Sequence, residues 1–315
     1  MDLDELRTLM DRRAPAGTSE PLPGVFLSRE PRPGSPEAST TGTVFALITQ
    51  GSKELRLGDQ TVAYGPGEYL VTSIDLPVIG RFTQASEEAP ALGFGMTLTA
   101  PAIAELLLSA GAAPGPGAGP GSGAGSGPGA GRGGPAVPAL ATSRAPVELL
   151  DAVGRLIRLL DRPRDLPVLG PMALREILWL LVTGPQGDTV RQLGLADSKL
   201  TRINRVVRWI RDNSAEPMRV EDLARRAGLS VSAFHRTFRA VTGSSPLQFQ
   251  KRLRLVTARQ ILASQGSSVT QAAFAVGYES AAQFNREYRR LFGAPPGRDR
   301  SRLADPTPRA AAAIG

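Results

Sequence analysis

The chain has 315 residues and a formal charge of +8, long enough for two domains with a core each. It contains no cysteine and one histidine, which excludes disulfides, thiolate metal sites and cysteine nucleophiles. The charge is unevenly divided: residues 199–302 carry 20 Lys and Arg against 7 Asp and Glu, and residues 1–198 carry 16 against 21. The basic part therefore suits a polyanion and the acidic part other work. All the cationic side chains except Lys53, Lys199 and Lys251 are arginines. Guanidinium favours bidentate contacts with phosphate and guanine, and it equally fits a GC-rich genome.

The first ten residues place acids where a signal peptide needs a basic region and an apolar core. Residues 3–13 have the pattern of a short amphipathic helix. From residue 42 to about 99 the texture is β: runs at 43–49, 55–57, 61–64 and 69–73 are separated by Gly51-Ser52, Gly58-Asp59 and Gly65-Pro66-Gly67. Short strands at this spacing predict a small antiparallel barrel or sandwich. Residues 101–109 read as a helix with Ile103, Leu106 and Leu107 on one face.

Between Gly111 and Pro138 lie 12 Gly and 6 Pro, with almost nothing apolar larger than alanine. Such a stretch buries too little surface to offset its ordering entropy and is expected to be a disordered insert. Its Gly129, Gly131 and Gly134 match a dinucleotide fingerprint only formally, because no strand precedes them and no helix follows. Helical periodicity returns with Val147, Leu150, Val153, Ile157 and Leu160, then with Leu174, Ile177, Leu178 and Leu181. Pro171 is read as lying near the start of that second helix, and Gly184-Pro185 as its stop. These two apolar-faced helices could pack in the core or against a second subunit. The longest purely apolar run, 177–182, is too short for a bilayer, so a cytoplasmic, nucleoid-associated protein with no membrane partner is expected.

The basic region predicts six or seven helices and repeats itself. Val220, Leu223, Ala224, Ala227 and Gly228 recur 49 positions later as Val269, Ala272, Ala273, Val276 and Gly277. Phe234, Arg236, Phe238 and Gly243 recur at a spacing of 50 as Phe284, Arg286, Tyr288 and Gly293. Repetition at this period means one supersecondary unit used twice. The unit is a helix (220–227, then 269–276), a turn with Gly, and a second helix (231–242, then 281–291). This is the layout of a helix-turn-helix, whose second helix enters the DNA major groove. Ala224 and Ala273 are small where the helices cross, Gly228 and Gly277 suit a positive φ, and Ser230 and Ser280 are placed as caps. Phe234 with Phe238, and Phe284 with Tyr288, are spaced to face the core. The opposite face presents Ser232, Ala233, His235, Arg236 and Arg239 in the first unit. In the second it presents Ala281, Ala282, Gln283, Asn285, Arg286 and Arg289. The connecting helix, 247–263, spans about 25 Å against about 34 Å for one duplex turn. Joint docking in successive grooves then needs bent DNA or an imperfect fit, and bending adds shape readout.

The stretch from Gly228 through Ser230, Phe234, His235, Arg236 and Phe238 resembles the first unit of the AraC/XylS family of bacterial transcription regulators. The stretch from Ala272 through Gly277, Tyr278, Phe284, Tyr288, Phe292 and Pro295-Pro296 is similar to that family's second unit. The N-terminal half looks like the cupin-like sensing domains such regulators often carry. The resemblance implies an α+β multidomain chain: a cupin-like sensing and dimerisation domain at 1–110, the insert at 111–140, a helical linker or dimerisation region at 141–195, an all-α tandem helix-turn-helix domain at 196–302, and a tail at 303–315. It places base contact on Ser232, His235 and Arg236, then on Ala281, Ala282, Gln283 and Arg286, with Ala233 and Arg239 alongside. Arg236 and Arg286 have the chemistry for guanine and Gln283 for adenine. Phosphate contact alone remains open for the arginines, a capping box with Ser280 for Gln283, and a plain surface role for His235. The alanines offer only methyl contact to thymine.

The implied partners are double-stranded DNA, a small-molecule effector, a second copy of the chain, and RNA polymerase if the protein activates transcription. Two other classes are weighed: an architectural DNA-binding protein without effector input, and a cupin enzyme with a DNA-binding tail. Residues 1–198 contain no His and no Cys, so a transition-metal centre there is disfavoured, no cofactor is expected and the chain is read as not an enzyme. Asp59, Glu68 and Asp75 are scattered carboxylates of the kind usually solvated. Leu55, Leu57, Val62, Tyr64, Tyr69, Val71 and Phe82 are read as filling the barrel rather than lining a pocket.

Overall fold

The computed structural model describes residues 1–57, 60–111, 140–195, 198–264 and 267–303. The first helix, α1 (Leu3–Arg13), is fixed by a capping box in which Asp2 accepts from the Glu5 amide and the Glu5 carboxylate accepts from the Asp2 amide. Nine strands precede the next helix: β1 (Gly17–Leu22), β2 (Val25–Glu30), β3 (Glu37–Thr41), β4 (Val44–Gln50), β5 (Ser52–Leu57), β6 (Gln60–Tyr64), β7 (Glu68–Thr72), β8 (Leu76–Gln84) and β9 (Ala91–Thr97). Helix α2 (Ala100–Ser109) follows, then β10 (Leu140–Arg144). Two antiparallel sheets result, one ordered β1-β2-β9-β4-β7-β10 and the other β3-β8-β5-β6.

Alternation of side chains sorts residues between layers. Arg29 reaches Asp11 on α1, so Val25, Leu27 and their ladder partners Phe94, Leu47 and Tyr69 face the helices. Ser28, Glu30, Ile48 and Gly93 then face the second sheet. Across the gap that sheet presents Lys53, Leu55, Tyr64, Phe82 and Gly80. Leu55, Leu57, Tyr64 and Phe82 are buried between the sheets as expected for fill, with Val62 partly so, whereas Tyr69 and Val71 are buried on the opposite face of their sheet, under the helices.

Helix α1 lies on the first sheet, and three further helices pack around it: α3 (Val147–Leu159) on α1, α4 (Leu166–Thr183) on α3, and α5 (Gly187–Gly194) on α2 and α4. Seven more form the C-terminal domain: α6 (Lys199–Asp212), α7 (Val220–Ala227), α8 (Val231–Thr242), α9 (Pro246–Ala263), α10 (Val269–Ala275), α11 (Ala281–Phe292) and α12 (Pro296–Leu303). Helix α4 is long and apolar enough by length and composition to cross a membrane, but Ala173, Ile177, Leu178, Leu181 and Val182 are buried in the core that includes Leu156 and Val190 from α3 and α5.

Three expectations are corrected, and one helix is added. The β texture begins at residue 17, before residue 42: β1 and β3 are rich in Ser, Thr and Glu and lack the apolar alternation that marks a strand, and β2 between them opens on Val25-Phe26-Leu27. Residues 140–144 form β10, paired with β7, a strand created by its neighbour because Leu140 alone is strongly apolar and buried. Residues 187–194 form the short helix α5, whose Gly187 and Gly194 both argue locally against helix. Helix α4 starts at Leu166 on Pro167, so Pro171 lies inside it. The Gly/Pro-rich stretch lies outside the described residues apart from Gly111 and Leu140, as does all of the tail after Leu303.

Candidate DNA-reading interface

Each reading helix is set by local chemistry. Helix α7 ends at Gly228, whose φ of +64° closes the turn, and Ser230 accepts from the Ala233 amide at 3.3 Å to start α8. In the second unit Gly277 has φ +81° and Ser280 accepts from the Gln283 amide at 3.4 Å to start α11. Phe234, Phe238, Phe284 and Tyr288 are fully buried. They stack as a chain of tilted aromatic pairs, Phe234 on Phe238 at 5.4 Å and Phe284 on Tyr288 at 5.4 Å. They are core, so none of these four rings is open for a base to stack on.

With that face fixed, the opposite face is exposed. Ser232, His235, Arg236 and Arg239 are exposed on α8 with Ala233 half-buried, and Ala282, Gln283, Asn285, Arg286 and Arg289 are exposed on α11 with Ala281 half-buried. Gln283 does not complete a capping box: its carboxamide nitrogen donates to Glu287 Oε1 at 3.2 Å. Asn285 donates to the carbonyl of Ala281 at 2.8 Å.

Sequence reasoning missed the elements that hold the two units together. On α9, Arg254 donates to the carbonyls of Ser214 at 2.6 Å, Ala215 at 3.0 Å and Gly277 at 3.0 Å. Gln250 adds bonds to Ser214 and Glu216. The loop after α6 is thereby clamped to α9 and to the turn of the second unit, where a Cβ at Gly277 would lie 2.1 Å from Ala215 O. Behind α11, Tyr288 OH donates to Asp299 at 2.7 Å and Arg259 Nε to the same oxygen at 2.8 Å, with Arg259 also over the Phe292 ring. Burial, and then the bond to the Asp299 carboxylate, push the Tyr288 phenol far above its ordinary range. Glu287 is raised by burial but more than compensated by bonds from Lys251, Tyr278 and Gln283, which leave it below the usual carboxylate range. The i, i+4 spacing of Gln283 and Glu287 was the one sequence signal for this cluster; Arg254 had none.

The reading domain sits on the outer face of the smaller sheet. Arg56 donates to the carbonyl of Leu291 at 2.9 Å, Arg259 to that of Pro36 at 2.7 Å, and Arg211 pairs with the buried Asp75. None of these contacts uses the exposed reading faces.

A domain of two matched helix-turn-helix units behind a double-sheet domain defines a DNA-binding regulator with a separate N-terminal module. The chain belongs to the AraC-type transcriptional regulators. The profile of the AraC-type transcriptional regulator N-terminus matches residues 21–189, and that of a helix-turn-helix domain matches residues 223–302. Among curated relatives, the HTH-type transcriptional activator RhaS of Escherichia fergusonii is 35% identical over 159 residues, covering 48% of this chain and 56% of that one. RhaS of Salmonella typhimurium is 32% identical over 150 residues, with 47% and 53% covered. The chain thus spans about half the length of the curated relatives it matches. ToxT from Vibrio cholerae O395, solved with (E)-4-(8-methylnaphthalen-1-yl)but-3-enoic acid, has TM-score 0.51 at 9% identity, covering 89% of this chain and 98% of that one. The DNA-binding domain of AdpA, solved with a target DNA, is 33% identical with TM-score 0.32, covering 34% and 96%.

Proposed function

We propose that this chain is a sequence-specific DNA-binding activator of transcription that reads DNA with α8 and α11 and answers to a small effector through its N-terminal domain. The observation that carries this reading is the pair of exposed Arg-bearing faces set back to back with buried aromatic faces on two matched helices. On this reading Arg236 and Arg286 contact guanine, Gln283 contacts adenine, and Ser232, Ala233, His235, Arg239, Ala281 and Ala282 complete the surface. Helix α9, 18 residues or about 27 Å, still falls short of one duplex turn, and the clamp at Ala215 and Gly277 opposes a hinge between the units. Bent DNA then supplies the fit. RNA polymerase is the further partner of an activator, and the cytoplasm its compartment.

An effector site is supported by the polar groups between the two sheets. Lys53 is buried beside Glu30 and Glu37, its side chain lying across Gly80. Glu30 Oε1, Thr41 Oγ1 and Tyr64 OH have no hydrogen-bond partner among the described residues, which is costly unless a ligand or solvent meets them. A homodimer is supported by the outer stripe of α4, where Val168, Met172 and Trp179 are exposed beside an apolar cleft of about 780 Å³ lined in part by Phe26, Met96 and Leu174. Leu178 and Leu181 belong to the core instead. The assignment is tested by genomic footprinting of bound sites, repeated with candidate metabolites, and by the salt response of residues 196–302 alone. Their affinity should fall with a log–log slope near −0.9 per phosphate neutralised. Salt-independent binding by that fragment, or binding without site preference by the full chain, defeats the reading.

A further inference from the structure

Gln283 is exposed at the start of α11, and a free glutamine at that place presents either end of its carboxamide to a base. Here one end is committed. Gln283 Nε2 donates to Glu287 Oε1 at 3.2 Å, and that same oxygen accepts from Lys251 Nζ on α9 at 2.9 Å. The other oxygen, Oε2, accepts from Tyr278 OH at 2.7 Å. Three donors around one partly buried carboxylate keep it ionised, and an ionised carboxylate only accepts. The nitrogen end of the Gln283 amide must therefore face Glu287, so its flip state follows from chemistry.

We propose that Glu287 is a positioning residue that fixes the base preference of Gln283. This rests on the placement of Gln283 at the DNA surface argued above. With the nitrogen end held, the amide offers its oxygen and its remaining N–H outward. One acceptor beside one donor matches adenine, which presents the N6 amine and N7, and mismatches guanine, which presents two acceptors, O6 and N7. Released, the amide can turn its NH₂ end toward O6 and accept guanine. Lys251 and Tyr278 do not touch the base on this account. They hold the carboxylate that holds the amide, and Lys251 offsets the repulsion between that carboxylate and nearby phosphates.

The test uses the full chain and a bound site in which each base pair is varied in turn, with relative affinities read for the four bases. Gln283→Ala identifies the pair it reads. Glu287→Ala should reduce the adenine-over-guanine preference at that same pair by about two- to twelvefold, the cost of ordering one long side chain. It should add nothing in the Gln283→Ala background. Glu287→Gln, which retains an acceptor oxygen for Lys251 and Gln283, should keep most of the preference, a rescue that a general packing role does not predict. Binding to a non-cognate duplex at low salt reports that each variant is folded. If Glu287→Ala does not fold, Lys251→Met loosens the same tether and should weaken the same preference. The proposal is overturned if Glu287→Ala weakens all four sites equally, if it acts at a pair that Gln283→Ala leaves untouched, or if the Gln variant loses as much as the Ala variant. Should Gln283→Ala change no preference while Arg286→Ala does, the proposal fails and the regulator assignment stands.

Discussion

The two turn glycines hold equivalent places in the repeat, yet the structure predicts different costs for replacing them. At Gly228 a Cβ meets nothing closer than the Arg202 guanidinium at 3.8 Å, so Gly228→Ala bears only the left-handed backbone penalty, about 1–2 kcal/mol. At Gly277 the same penalty applies, and the Cβ lands 2.1 Å from Ala215 O, with Ala215 C at 2.8 Å. That neighbour is backbone, and it cannot retreat without releasing the Arg254 clamp on Ser214, Ala215 and Gly277. Overpacking against a fixed group adds about 1–3 kcal/mol, for a total near 2–5 kcal/mol. Urea unfolding of the full chain carrying Trp179→Phe, followed by fluorescence of the remaining Trp209 on α6, should give a distinctly lower midpoint for Gly277→Ala than for Gly228→Ala. DNA binding at a site spanning both grooves should suffer in the same order, because the clamp sets the angle between units. Equal destabilisation by the two substitutions refutes the argument, since the close contact at Ala215 is what sets Gly277 apart in it.

Arg236→Ala and Arg286→Ala should each cost about 1–3 kcal/mol at the cognate site with loss confined to one base pair; uniform weakening in a competition assay across sequences would show phosphate contact alone. Phe234→Ala or Phe284→Ala should instead destabilise the fold by about 3–5 kcal/mol, visible in thermal melts without DNA. Asp299→Ala leaves the buried Arg259 guanidinium and Tyr288 hydroxyl without their acceptor, at about 3–5 kcal/mol; a calorimetric shift no larger than that of a surface alanine substitution contradicts this. For the N-terminal domain, burial first and then Glu37 raise Glu30 to about 7, with Lys53 opposing, and burial lowers Lys53 to about 8. The folded state thus binds the extra proton on Glu30 between about 4.5 and 7, so stability falls across that range. Unfolded chains keep the proton on Lys53 between about 8 and 10.5, so stability rises there. Melting temperature against pH should dip between these windows, and Lys53→Met should abolish the upper rise.

The reading domain was legible because its determinants are local. Turn glycines, serine caps and aromatic pairs four apart each specify their own few residues, and the repeat doubles every signal. Helices α7 to α11 accordingly fall close to where periodicity places them, and α12 was not read in the sequence. In the N-terminal sheets β4 and β7 were legible from their apolar runs, and β5 and β6 from the turn residues that bound them. The polar strands β1 and β3 and the late strand β10 take their conformation from the partner they pair with, and nothing in a window of their own residues records that partner.

By itself, then, the sequence determined that two basic helix-turn-helix units follow a β-rich acidic domain, and which side chains on each reading helix point away from the core. Tertiary structure decided how the units are coupled and how the amide at Gln283 is turned. Arg254 finds carbonyls about 40 positions before it in the chain, Glu287 gathers Lys251 from another helix, and Arg56 and Arg259 bond across the domain boundary. Such contacts depend on a distance in space between residues far apart in the chain, and neither the composition nor the periodicity of a segment carries that distance.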